Sequence, residues 1–162
     1  MPLCASKKNV PKAPLPVVVQ NAKKAFLTEG GGAPLAFDDF YADMKKWGRF
    51  QLASSPADAD IIIELKYLIE DKGSHVGSSY NSYTKRTQVY SVDVTDPQVV
   101  LSIFDPKSSQ LLWSITDHTR LARLEKNREK EIIKSADRIV EELQLRIASS
   151  DSEKTTPHLS TQ

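Results

Sequence analysis

Residues 60–70, with the sequence DIIIELKYLIE, alternate between apolar and polar side chains, and this alternation decides the fold class. A period of two residues is typical of a β-strand that buries one face. The apolar positions that share one face are Ile61, Ile63, Leu65, Tyr67 and Ile69, and the other face carries Glu64, Lys66 and Glu70. The pattern predicts a strand with one buried face and one face largely exposed to water.

Two amphipathic segments predict the helices that cover this strand. Between residues 35 and 47 the apolar side chains recur at spacings of three and four, and Gly48 suits the left-handed residue that ends a helix. Residues 127–148 carry a second apolar stripe, for which Asn127 is the expected N-cap. At about 1.5 Å per residue this second helix spans roughly 30 Å, which is long enough to cross a sheet.

Shorter segments predict the remaining strands. Residues 17–19, 23–27 and 50–53 have the character of extended chain, and residues 88–95 alternate until Asp96-Pro97, which predicts a corner. Residues 99–104 and 111–116 flank the turn sequence Asp-Pro-Lys-Ser-Ser and predict a β-hairpin.

The order of predicted elements is β-α-β-β-β-β-β-α. Two amphipathic helices and a sheet with one apolar face bury each other best in a two-layer arrangement. The predicted fold class is therefore α+β, a two-layer α/β sandwich with a mostly antiparallel sheet of about four or five strands and two helices on one face.

The chain of 162 residues, 40% hydrophobic and 27% charged, has the size and composition of one soluble globular domain. Residues 17–148 are predicted to form this single α+β domain. Residues 1–16 are predicted to be a disordered leader or the remnant of a signal peptide, and residues 149–162 a disordered tail with almost no large apolar groups. Cys4 is not expected to carry a lipid, because Leu3 occupies the position that should be small.

Charge and hydropathy exclude two classes of partner. Lysine and arginine number 22 against 21 aspartates and glutamates, and both signs are spread along the chain, so no nucleic acid partner is predicted. The longest apolar stretches, at residues 17–19 and 61–63, are far shorter than the roughly 20 residues that span a bilayer. No transmembrane segment is predicted.

Groups that could carry chemistry are sparse. Nucleophilic catalysis needs a nucleophile, a base within reach and an orienting group. Of the three histidines, His158 lies in the tail, His75 lies in a Gly/Ser-rich segment, and strand alternation sends Asp117 and His118 to opposite faces. The glycines at residues 30–32 lack the Lys-Ser/Thr of a P-loop and are interpreted as a flexible connection. We therefore predict no catalytic residues, no metal site and no cofactor.

Residues 71–86 (DKGSHVGSSYNSYTKR) are the anomalous segment, since connections this long inside a domain tend to be functional or mobile. They are predicted as an irregular loop or, if the neighbouring strands extend into them, as a long twisted hairpin arm. Amphipathic rings and cations are frequent at recognition surfaces. The candidate binding residues are His75, Tyr80, Tyr83, Lys85 and Arg86. The alternative interpretation is an insertion without a role.

Two stretches of the sequence and the helix that follows them resemble a bacterial family. The stretches are residues 58–65 (DADIIIEL) and residues 101–114 (LSIFDPKSSQLLWS). They resemble an uncharacterised family of envelope domains, many of them secreted or lipid-anchored, in which an Ala-Asp-apolar strand accompanies an Asp-x-x-Ser-x-x-Leu-Leu-Trp hairpin. The similarity covers about residues 23–145 and extends, at fold level, to lipoprotein modules of the curli-secretion and penicillin-binding-protein activator type. The resemblance implies a non-catalytic role.

Three functional hypotheses follow. The first is a non-enzymatic secreted or periplasmic binding or scaffolding module that uses residues 71–86 against a protein partner in the cell envelope. The second is a small-ligand or hydrolytic site around His75, Tyr80 and Tyr83, which requires a concave pocket with converging polar groups. The third is a cytosolic protein-interaction module.

Overall fold

The computed structural model describes residues 13–82, 85–120 and 124–154, which form three helices, five strands and one short 3₁₀ turn. The helices are α1 Val17–Asn21, α2 Pro34–Trp47 and α3 Glu125–Lys154. The strands are β1 Lys24–Glu29, β2 Gln51–Leu52, β3 Ile61–Asn81, β4 Arg86–Phe104 and β5 Leu111–His118, and the turn is Pro56–Asp58. Most of the predicted leader and tail lies outside the described residues.

The five strands form one mixed sheet in the order β2-β1-β3-β4-β5. Strand β1 runs parallel to β2 and β3, whereas β4 runs antiparallel to β3 and β5 and pairs with them over many more residues. Helices α2 and α3 share one core cluster with the sheet and therefore cover the same face. The predicted α+β sandwich is confirmed.

The core lies between this sheet face and the two long helices. Its fully buried side chains include Ile61, Ile63 and Leu65 of β3, Val99, Leu101 and Ile103 of β4, Phe40 and Met44 of α2, and Ile139 and Leu143 of α3. The predicted inward face of β3 is thus correct as far as Leu65. Tyr67 is only partly buried and Ile69 is exposed, because β3 passes beyond the helical layer at this point.

The first predicted strand is partly wrong, because residues 17–21 form helix α1. The carbonyl of Pro16 accepts hydrogen bonds from the backbone N–H groups of Val19 and Gln20. One helical turn buries Val19 completely, next to Leu15 in the core cluster, and this burial outweighs the strand preference of three successive valines. Leu15, assigned to the leader by the sequence analysis, is therefore part of the core.

The predicted corner at Asp96-Pro97 is also wrong, since β4 runs straight through both residues. The carbonyl of Pro97 accepts a hydrogen bond from the backbone N–H of Thr119 at 2.9 Å. Because the nitrogen and oxygen of a strand residue point to the same side, the Pro97 nitrogen faces the end of β5 and not β3. The missing N–H of Pro97 therefore removes no hydrogen bond from the β3–β4 ladder, and the strand continues.

The predicted end of α2 and the predicted β4–β5 hairpin are present in the structure, whereas both predicted ends of α3 are wrong. Helix α2 ends at Trp47 as predicted, with Gly48 at φ 66° donating its N–H to the Met44 carbonyl. The β4–β5 hairpin is likewise confirmed, with Asp105 accepting a hydrogen bond from the Ser108 N–H in its turn. Helix α3, however, begins before the expected N-cap Asn127 and continues past the expected end at Ala148.

Asp60 joins the start of β3 to the start of β1. Its Oδ2 accepts hydrogen bonds from the backbone N–H groups of Lys23 and Lys24, each at 2.9 Å, and these bonds lower the pKa of Asp60 below its ordinary value of 3.8. A carboxylate whose pKa is lower in the folded state stabilises the fold above its ordinary pKa, and this contribution disappears as the pH falls through the folded-state pKa.

We expect Asp60→Asn to be less stable than the wild type at about pH 7 and to approach wild-type stability at about pH 2, because the protonated aspartic acid then resembles the amide. Urea unfolding of both proteins at the two pH values measures this convergence. A stability difference of the same size at both values would show that the charge of Asp60 contributes nothing.

Candidate functional site

Residues 71–82 and 85–95 form a two-stranded arm that extends beyond the helical layer. Of the two structures predicted for residues 71–86, the hairpin arm is the one observed, and the irregular loop is wrong. The pairing of β3 with β4 continues to Asn81 and Arg86 near the tip. Within the described residues the side chains of the outer arm are exposed on both of its faces, apart from the partly buried Gly77. An isolated two-stranded hairpin is only marginally stable in water, so such an arm gains from contact with another molecule.

A β-bulge lies near the root of the arm, which is the end where the arm leaves the helical layer. The bulge reverses the alternation of the β3 side chains between the two faces of the sheet. The register passes from Asp71↔Thr95 to Ser74↔Asp93, so Lys72 and Gly73 together oppose one residue of β4. Gly73 has φ 90°, a conformation that other residues rarely adopt. Beyond the bulge the even-numbered residues of β3 share a face with the odd-numbered residues of β4.

One face of the arm, which we call the apolar face, carries three large exposed side chains, those of Val76, Tyr80 and Val89. Their relative exposures are 73%, 64% and 71%. Val76 pairs with Ser91, and Val89 pairs with Ser78, so the three side chains lie on diagonally adjacent positions. Diagonal neighbours of this kind are within reach of one another when a side chain is long or aromatic.

The opposite face carries Tyr90 and Val92, both about half exposed. Tyr90 pairs with Gly77, and a Cβ atom added at Gly77 would come within 2.6 Å of the tyrosine ring. The glycine therefore lets the ring lie flat across the neighbouring strand. His75 and Arg86 belong to this face as well, by their pairing with Val92 and Asn81.

The charges of the arm are separated along its length. Residues 72–92 contain no aspartate or glutamate, and the cations Lys85 and Arg86 lie at the tip. The acids Asp71 and Asp93 lie at the root, on the same side as the apolar face. None of these four charged groups forms an ion pair with another part of the chain that the structure describes. Lys72, the remaining lysine of the arm, lies at the root and forms an ion pair with Glu70, so the arm has a basic tip and an acidic root.

The predicted candidate residues are all on the arm where they are described, but they do not converge on one pocket. Tyr80 lies on the apolar face, His75 and Arg86 lie on the other face, and Lys85 occupies the turn with φ 51°. Tyr83 lies outside the described residues. Val76 and Val89 were not among the predicted residues, because residues 71–86 have the composition of a connection and the bulge interrupts the alternation that residues 88–95 begin.

His118 and Asp117 point to opposite faces, as predicted. The Nδ1 atom of His118 lies 2.9 Å from a carboxylate oxygen of Asp96, and this hydrogen bond lowers the pKa of Asp96. On the helix side, Asp117 accepts hydrogen bonds from Ser135 and Arg138. The two residues therefore belong to two separate polar clusters on opposite faces of the sheet.

Cavities are also present on the body of the domain, away from the arm. A groove of about 540 Å³ separates β5 from α3, and ion pairs of Asp117 with Arg138 and of Glu142 with Arg146 neutralise the charges beside it. A smaller cavity of about 270 Å³ lies where α2 and α3 begin. Tyr67 lines it, and the buried hydroxyl of Tyr67 has no hydrogen-bond partner within the described residues.

Among the described helices, none combines the length and the apolar character needed to cross a bilayer. The described part of the chain also contains no cluster of three or more histidines, cysteines, aspartates or glutamates arranged to hold a metal ion.

Comparison with known proteins does not identify a family for this chain. No protein-family model matches the chain, and no curated protein matches it. A solved structure described as a neuraminyllactose-binding hemagglutinin homolog from Helicobacter pylori aligns over 87% of this chain and 91% of its own, with a TM-score of 0.41 and 8% identity. A likeness at this level identifies neither a family nor a ligand, and the envelope-family resemblance stays a prediction.

Proposed function

We propose that this protein is a non-enzymatic binding module of the bacterial envelope, secreted or periplasmic, that contacts a protein partner with its arm. The observation that carries the proposal is the projecting two-stranded arm, whose exposed apolar side chains have no cover within the described residues. Burying each large apolar side chain is worth about 1.5–3 kcal/mol. Val76, Tyr80 and Val89 together can therefore supply much of the binding energy of a moderate complex.

The shape of the arm favours this proposal over a small-ligand or hydrolytic site. That alternative requires His75 and Tyr80 to converge, yet the register places them on opposite faces of a ribbon. Both cavities described above are lined by residues outside the arm. A cytosolic interaction module would use the same surface, and fractionation of cells that express the native gene distinguishes the two locations.

The test is capture of partners from envelope extract by the purified protein. We expect the triple variant Val76→Ser, Tyr80→Ser, Val89→Ser to lose at least about 90% of the captured partner, because it removes the apolar contact area. A matched control is Leu145→Ser on α3, which changes an equally exposed apolar residue far from the arm. Equal recovery by the triple variant and the wild type, with unchanged circular dichroism, would exclude the arm as the contact surface.

A further inference from the structure

The arm has a symmetry in its sequence that becomes visible once its register is known. Val89 of β4 lies midway along the sequence between the acid Asp93 at the root of the arm and the cation Lys85 in the turn at its tip, four residues from each. Val76 and Tyr80 are placed in the same way, because they pair with Ser91 and Thr87, two residues on either side of Val89. The apolar side chains of Val76 and Tyr80, and the charged side chains of Asp93 and Lys85, are therefore placed symmetrically about Val89.

From this arrangement we propose that the arm binds a second copy of this chain, with the two apolar faces packed together and the two arms antiparallel. A two-fold axis near Val89 then places Val89 against Val89, Val76 against Tyr80 of the second copy, and Asp93 against Lys85 of the second copy. The inference rests on the proposed function, since it names the partner of the same surface. Two-fold dimers are the commonest closed assemblies of soluble proteins, and each needs a patch that is complementary to itself.

The charges select the antiparallel orientation. Parallel arms would place Lys85 beside Lys85 and Asp93 beside Asp93, whereas antiparallel arms form two ion pairs. Residues 85 and 93 are about 26 Å apart at roughly 3.3 Å per residue, so the two ion pairs lie at the two ends of the contact. Complementary charges at the ends of an apolar contact set the register and exclude the alternative orientation.

The bodies of the two copies leave room for this contact. With the axis at Val89, the tip of one arm reaches about the level of residue 95 on the other, by the spacing of paired strands. That level lies short of Pro97, where the buried part of β4 begins. The small side chains of Ser78 and Ser91, which pair with Val89 and Val76, allow the two ribbons to approach closely.

The size of the contact predicts a weak dimer. One face of a ribbon this long buries on the order of 500 Å² per copy, below the roughly 800 Å² of a standard stable interface. We therefore expect a dissociation constant of about 10–100 µM at low salt, weakening several-fold at about 0.5 M salt because the terminal ion pairs are exposed.

The experiment is sedimentation velocity on three samples: Asp93→Lys alone, Lys85→Asp alone, and an equimolar mixture of the two. A dimer of either variant alone would contain two pairs of like charges. We therefore expect the association constant of each variant with itself to fall at least about tenfold. In the mixture, a dimer of one variant with the other pairs a lysine with an aspartate at both ends of the contact. Such heterodimers are expected to form with wild-type affinity or better. Aspartate tolerates the positive φ of residue 85 better than most residues do.

Lys107→Asp is the matched control, because Lys107 is an exposed lysine in the turn of the β4–β5 hairpin, away from the arm. It should dimerise like the wild type. Wild-type protein that stays monomeric at about 500 µM overturns the inference. So does a wild-type dimer whose two charge variants fail to associate in the mixture. If the chain is monomeric but captures another protein through the arm, the proposed function stands and only this inference fails.

Discussion

Leu143→Ala is expected to lower the free energy of unfolding by about 3–4 kcal/mol. Leu143 is fully buried on α3 within the cluster that joins α2, α3 and the sheet. Removing three carbon atoms from such a site loses their transfer free energy and leaves a cavity that a close-packed core fills only in part.

The control for this truncation lies two residues along the same helix. Leu145 is 67% exposed, so Leu145→Ala removes the same atoms with little loss of burial and is expected to change stability by less than about 0.5 kcal/mol. Chemical denaturation of both variants and the wild type gives the two values. Similar losses for both variants would mean that α3 packs on the sheet through a different face.

Gly32→Ala is expected to cost about 3 kcal/mol, which is unusual for the addition of one methyl group. Gly32 has φ 87°, where a residue with a Cβ atom is strained by about 1–2 kcal/mol. The new Cβ atom would also lie 2.6 Å from the backbone oxygen of Tyr67, so β3 or the start of α2 would have to shift. The cost therefore has a conformational part and a steric part.

Gly48→Ala separates these two parts. Gly48 has φ 66°, but a Cβ atom there would meet no heavy atom within 4 Å, so its replacement should cost only about 1 kcal/mol. Thermal or urea unfolding of the two variants measures the difference. Equal costs would show that the steric contact at Tyr67 is relieved without loss.

The glycine run also shows where the sequence interpretation was too simple. Residues 30–32 were interpreted as a flexible connection, whereas the N–H of Gly30 donates to the Leu65 carbonyl and the N–H of Tyr67 donates to the Gly31 carbonyl. The run therefore extends the β1–β3 pairing and brings the backbone close to β3. A single sequence cannot reveal this role, because a loose linker and a close backbone approach both favour glycine.

The binding role of the candidate residues stays a prediction, and the sequence did not predict how the arm divides them between its two faces. The composition of residues 71–86 indicated a recognition surface, and four of the five candidate residues lie on the described arm. Their division between two faces depends on the bulge at Lys72 and Gly73, which reverses the alternation of β3 relative to its buried half. One extra residue in one strand is enough to move a side chain to the other face.

The amino-acid sequence by itself determined the elements whose signals are local. The inward face of β3, the end of α2 at Gly48 and the β4–β5 turn at Asp105 follow from side-chain spacing and turn chemistry within a few residues, and all three are present in the fold. Only the tertiary structure decided that Pro97 stays within a strand, that Val19 enters the core from a helix, and that the arm has an apolar face. These features depend on which backbone groups and side chains meet across the sheet, and such meetings are set by the pairing of distant segments and the burial that it allows.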